Sequence, residues 1–359
     1  MRTLIGLFFS CDWEMNFVLF YQSFALVKTS VFMPKNQVAE FRKSSLFGRV
    51  DKQWLRKLVP LLTLIFLSAA LTLLSPYFLM MDNLFAIGLQ MAVVAIMAIG
   101  EMMVIISAGI DLSVGSILAL SGIVATEAMV HHIGVYPAIL LGILVGGVGG
   151  WINGTLIAKG NIPPFIATLG TMGIARGLAL IITGGIPVFG LPKSFEFWGG
   201  GHVLGVVPVP LVVLTVLAIL GHIVLQYTRF GRYTYAIGGN MEAARLSGIP
   251  VGRYLIAIYT LAGFLYGIAG IILASRLSTG QPTAGTGYEL DVITACVVGG
   301  ASLSGGEGKM LGAMIGALIM GIIRNGSNLL DISAFWQQVI MGSIIIAAVF
   351  ADQYRKRSI

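Results

Sequence analysis

Glu101 and Arg176 each sit inside a long apolar run, and Asp111, Asn153, Asp291 and Asn325 lie inside or beside others. An ionisable side chain at such a place faces either a buried partner or a water-filled path, because hydrocarbon does not solvate it. Glu101 and Arg176 fall at similar depth, so their long side chains meet if their segments are neighbours. Protonation of Glu101 is the other way to remove its charge. Gly109-Ile110-Asp111-Leu112-Ser113-Val114-Gly115-Ser116 interrupts two apolar runs. Asp111 is placed there as the N-cap of the following helix, where its carboxylate takes backbone N–H groups that have no intrahelical partner. Irregular backbone at membrane depth survives only inside protein or beside water, so this stretch also suits the mouth of a path. Asp291 either caps a helix or faces a pore entrance, and Glu127 reaches the interface. The candidates for a path or gate are therefore Glu101, Asp111, Ser113, Asn153, Arg176, Asp291 and Asn325.

Other chemistry is absent from the pattern. His131, His132, His202 and His222 have no metal-ligand spacing, and no nucleophile elbow or HEXXH spacing occurs. Leu303-Ser304-Gly305-Gly306-Glu307-Gly308-Lys309 imitates an ATPase signature. A phosphate loop, however, needs Gly, four residues, then Gly-Lys-Ser/Thr after a strand. Leu303 occupies the first glycine's place, Met310 follows the lysine, and an apolar run precedes the loop. This chain is not expected to bind ATP or any other cofactor.

The polar loop 228–253 is the most punctuated segment. Asn240 is a plausible N-cap, Glu242 suits a first turn, and Gly248 with Pro250 closes the segment. The outcome is a short helix that includes Ala243 and Ala244. A helix this short is unstable alone, so it needs a partner surface, and its small residues suit a groove.

The elements that position these residues are apolar helices. Of 359 residues, 57% are hydrophobic and only 10% charged, against about 25% charged in soluble domains. Lipid must therefore solvate much of the surface, and 47 glycines suit close helix approach in a membrane. A span needs about 20 apolar residues. That length selects 58–78, 84–107, 112–130, 136–158, 165–183, 207–227 and 254–274, then three shorter runs at 290–303, 310–323 and 335–351. The runs 290–303 and 310–323 are either tilted crossings or the arms of a re-entrant hairpin. The reading is an all-α integral membrane protein of about ten transmembrane helices. Lys and Arg concentrate in the leader, Lys159, the 228–253 loop, Lys309 and Arg355-Lys356-Arg357. Lys193, Arg276 and Arg324 fall on the other side. The positive-inside rule then places both termini in the cytoplasm, and the net charge of +7 reflects topology rather than nucleic-acid binding. Residues 1–45 form an atypical extension. Thr3–Val27 is apolar but carries Asp12, Glu14 and Asn16 at its centre, and it reads as interfacial or disordered. Cys11 and Cys296 lie in unlike surroundings and are not expected to pair.

Gly109–Ser116, Phe230-Gly231-Arg232 leading into Gly238-Gly239-Asn240, and Ala243-Ala244-Arg245-Leu246-Ser247-Gly248-Ile249 together resemble the hallmarks of sugar-type ABC importer permeases. The run Gln281–Asp291 is similar to the ribose permeases within that family. The likeness extends from about Leu58 to Tyr354, while the leader departs from it. It implies a permease domain over 46–359 that forms a homodimer in the bacterial inner membrane. A periplasmic sugar-binding protein would deliver a monosaccharide, and a separate cytoplasmic ABC ATPase would hold ATP and Mg. Gly239, Asn240, Glu242, Ala243, Ala244, Gly248 and Ile249 then match the loop that docks into that ATPase.

Overall fold

The structure, a computed structural model, describes residues 52–357. The chain divides into residues 1–56 and a body of 57–359. The expectations for residues 1–45, including Cys11, lie outside the described residues.

Among the described residues, each expected span contains a helix. The helices are α1 (Lys52–Leu74), α2 (Met81–Ile106), α3 (Val114–Val130), α4 (Val135–Ala158) and α5 (Pro164–Thr183). A 3-10 turn at Lys193–Phe195, α6 (Phe197–Gly200) and a hairpin of β1 (His202–Val203) with β2 (Val207–Pro208) lead to α7 (Val209–Tyr227). Then come α8 (Arg229–Gly239), α9 (Met241–Leu246), α10 (Val251–Leu277), α11 (Tyr288–Val298), α12 (Met310–Leu329) and α13 (Ala334–Arg357). By length and composition, α2, α4, α5, α7, α10, α12 and the 334–354 part of α13 suffice to cross a membrane, while the apolar part of α1 and α3 are shorter.

α2 is buried on all sides from Met91 to Ile106, the mark of a central helix. α10 runs antiparallel to it: Gly100 lies against Ala262, and Arg276 donates to the Leu89 carbonyl at 2.8 Å. α4 packs antiparallel on α10 through small residues. A Cβ on Gly150 would lie 3.0 Å from Gly263 Cα, and one on Gly154 would lie 2.6 Å from Ile256 Cα. Glycine is required at both, because the two backbones nearly touch.

The second half of the body repeats the first with opposite direction. Gly100, Gly115, Gly142, Gly146, Asn161 and Phe165 recur as Gly270, Gly285, Gly312, Gly316, Asp331 and Phe335, each pair separated by the same 170 positions. Helix ends recur as well. Ala108 (φ 64°) after α2 matches Ser278 (φ 50°) after α10, and Asn161 (φ 50°) after α4 matches Asp331 (φ 51°) after α12. The next N–H returns to the helix in both halves: Gly109 to Val104 O and Thr279 to Ala274 O. Packing follows suit, with α4 on α10 and α12 on α2.

The observed helices correct the expected spans at two places. The 290–303 run holds only the 11-residue α11, a rise of about 16 Å, preceded by irregular backbone over 278–287. It is too short for a full helical crossing, whereas α12 has 20 residues. Arg324, expected in a connecting loop, lies inside α12.

Candidate functional site

The first turn of α3, just after the irregular stretch 107–113, meets the irregular stretch 278–287. Gly115 and Gly285 are in backbone contact, and a Cβ on Gly285 would meet Gly115 O at 2.8 Å. Gly285 also has φ 68°, which a side chain would strain. A paired interruption in corresponding positions of two inverted halves is where transporters build their paths.

Four predicted residues gather at the first break, all fully buried. Asp111 N–H donates to Glu101 Oε1 at 3.2 Å, and Tyr266 O–H donates to Glu101 Oε2 at 3.0 Å. Asp111 Oδ1 accepts from Ser113 N–H at 2.8 Å and from Ser113 O–H at 2.5 Å. Asn153 Nδ2 donates to Ser113 Oγ at 2.8 Å. Asp111 is therefore not the N-cap of α3: Ser113 holds that position, no side chain caps the helix, and Asp111 instead fixes Ser113. Among the described residues, Asp111 Oδ2, Asn153 Oδ1 and Tyr259 Oη are buried without partners. Tyr259 also lines a cleft of about 240 Å³ with Ser107, Gly109, Asn161 and Arg245. Tyr259 and Tyr266 were not among the sequence candidates. Their seven-residue spacing, two turns on one face of α10, was the available signal.

Arg176 does not meet Glu101. From α5 it donates through Nη1 to the carbonyls of Pro282, at 2.7 Å, and Ala284, at 2.8 Å. Neither carbonyl accepts a backbone hydrogen bond among the described residues, so the guanidinium replaces the missing helix ladder. The same helix reaches the first break, where Thr168 O–H contacts Ile110 O at 3.3 Å. Asp291 neither caps α11 nor stands free: it pairs with Arg324, whose guanidinium also lies 5.7 Å from the centre of the Tyr288 ring. Asn325 exchanges two hydrogen bonds with Asn83, at 2.7 and 3.1 Å. Glu127 lies beside His131. Cys296 is buried, its thiol against Ala98 O at 3.5 Å.

The polar loop holds two helices rather than one. Thr228 caps α8 by accepting from Gly231 N–H at 3.3 Å, and Asn240 caps α9 by accepting from Ala243 N–H at 2.9 Å. Gly248 (φ 83°) closes α9, with Ile249 N–H bonding back to Ala244 O at 3.1 Å. Ala244 is turned into the body at 5% exposure, so it anchors α9 to its own chain. Gly239 faces open space. Met241, Glu242, Ala243, Arg245 and Leu246 form the outward face, with Leu246 at 82% exposure.

α8 ties this surface to the first break and to the loop after α11. A Cβ on Gly238 would fall 2.7 Å from Gly306 N, and Gly306 N–H donates to Ile106 O at 2.9 Å. Ile106 ends α2 just before the first break, and Gly306 lies in the loop after α11. Tyr235 O–H donates to Gly308 O at 2.7 Å, and burial pushes this hydroxyl above its ordinary pKa.

Residues 83–349 match the family described as Branched-chain amino acid transport system / permease component. The ribose import permease protein RbsC of Escherichia coli (strain K12) is 44% identical over 309 residues, covering 85% of this chain and 96% of the relative. RbsC of Bacillus subtilis (strain 168) is 47% identical over 306 residues, covering 85% and 94%. The D-allose transport system permease protein AlsC of Escherichia coli (strain K12) is 40% identical over 282 residues, covering 78% and 86%. No solved structure matches. A central double break, spans long enough for a bilayer and collinear relatives lead to one assignment: the chain belongs to the family of branched-chain amino acid transport system permease components.

Proposed function

We propose that this chain is the membrane-spanning subunit of an ATP-driven ABC importer that moves a monosaccharide, ribose or a related sugar, from a periplasmic binding protein to the cytoplasm. The observation that carries the reading is the near-complete collinearity with the ribose import permeases, joined to a path-like meeting of two broken segments. In this reading about ten segments cross the bacterial inner membrane, α11 doing so with the irregular 278–287. Both termini lie in the cytoplasm, as does the loop 228–253.

A neutral sugar carries many hydroxyls, and each one buried without a partner is costly. The path therefore needs polar groups at the centre, and the two breaks supply them. A permease that holds no nucleotide takes its power from a separate ATPase carrying ATP and Mg. The exposed face of α9 receives that motor, and Gly238, Ile106 and Gly306 pass its displacement to the ends of α2 and α11. A second copy completes the pore: Gly173 and Gly177 on α5 have open space in front of them, the small-residue spacing that lets membrane helices approach closely.

Co-expression with a sugar-importer ABC ATPase from the same organism tests the partnership. The complex should co-purify as two permease copies with ATPase and hydrolyse ATP, while the purified permease alone should not. Hydrolysis by the lone chain would refute it.

A further inference from the structure

The Arg176 guanidinium uses a single nitrogen, Nη1, for both of its carbonyl bonds. Its Nη2 and Nε have no hydrogen-bond partner among the described residues, and the side chain is half-buried. Two carbonyl clamps thus hold the fork rigidly while leaving its other donors to spare. Glu289, in the first turn of α11, borders the same irregular stretch and lies within electrostatic reach of Arg176 but not in ion-pair contact with it. Glu289 Oε1 accepts from Gly287 N–H at 3.3 Å. Its other oxygen, Oε2, lies so near the meeting of the breaks that a Cβ on Gly115 would come within 3.0 Å of it. The second break thus carries two opposite charges that do not pair, one with spare donors and one with a spare acceptor, each held by the backbone of that break.

We propose that Arg176 and Glu289 form a transit subsite for a vicinal diol of a neutral monosaccharide. The guanidinium fork donates to the two sugar oxygens, and the Glu289 carboxylate accepts a hydroxyl proton in a hydrogen bond. Neither residue need change charge, so the sugar can leave as it came. A neutral polyol fits where an anion or a cation does not, because the site already contains both signs. This inference rests on the sugar-importer reading above and adds where the sugar is touched.

The test uses the permease–ATPase complex in proteoliposomes with saturating ribose-loaded binding protein, reading labelled ribose accumulated per ATP hydrolysed. Arg176→Lys keeps a charge that can satisfy the Pro282 and Ala284 carbonyls but loses the planar fork. Glu289→Gln leaves the Arg176 clamps in place and weakens only the acceptor. Ribose moved per ATP should fall roughly tenfold for Arg176→Lys, the scale of one lost charge-assisted hydrogen bond, and several-fold for Glu289→Gln. Should Arg176→Lys fail to assemble, Glu289→Gln decides alone. Wild-type coupling in Glu289→Gln, or full rescue by Lys at Arg176, overturns the subsite. A wild-type complex that imports neither ribose nor allose overturns the sugar reading instead.

Discussion

Glu101 is the residue on which the first break depends. Both its oxygens accept, one from the Asp111 N–H and one from the Tyr266 O–H, and no described cation pairs with it. Two neighbouring carboxyls buried without a cation are costly to hold as two charges. Replacing Glu101 with Gln preserves an acceptor and removes the ionisable group, so Glu101→Gln should melt in detergent close to the wild type. Glu101→Leu orphans two buried donors at roughly 1–3 kcal/mol each and should melt clearly lower. Equal melting of the two variants would show that these bonds do not hold the break. At this scale the sequence was only partly legible. Hydropathy marked Glu101, Asp111, Asn153 and Arg176 as anomalies, and the structure joins the first three, Glu101 through the Asp111 N–H and Asn153 through Ser113. It could not reveal that Arg176 serves the carbonyls of Pro282 and Ala284, because a backbone acceptor has no residue code. Asp291 was visible, but its partner Arg324 was hidden by ending 310–323 one residue too early.

The helices themselves were legible, since an apolar run of membrane length has to satisfy its own backbone polar groups in lipid, and a helix does so within the segment. Their interruptions were harder. α3 and α11 are short because each follows an irregular stretch; a hydropathy window does not see these ends, and the 290–303 run starts inside α11 and continues past Val298 into the loop. The repeat was in the sequence throughout, as pairs such as Gly142 with Gly312 and Gly146 with Gly316, but glycine is too common here for such pairs to stand out unaided. Packing gives them meaning and a test. Gly154→Leu must part α4 from α10 and should sharply lower the amount of folded permease in the membrane, overpacking costing about 1–3 kcal/mol or more. Gly173→Leu meets open space within the chain and should leave the folded amount unchanged while weakening self-association on native gels. A reversal of that order would contradict both the α4–α10 contact and the assignment of α5 to the second copy. On α9, Leu246→Asp places a charge on the outward face and should reduce ATPase capture about tenfold or more, as loss of an interface anchor does. Unaltered capture would move the docking surface elsewhere.

For the molecule as a whole, the parts form a chain of contacts from a polar surface to a central gap. α9 is anchored by Ala244, α8 presses Gly238 against the end of α2 and the loop after α11, the end of α2 borders the first break, and α11 leads from that loop back to the second. Under the proposed function, a displacement delivered by the ATPase at one end of this chain of contacts becomes a change at the other. The most direct measurement is uptake of labelled ribose into proteoliposomes holding the permease and its ATPase, with ATP enclosed and sugar-loaded binding protein outside. The account predicts accumulation that stops when ATP is omitted and persists when ionophores collapse the proton and sodium gradients. Uptake that survives without ATP but fails with the gradients would contradict it.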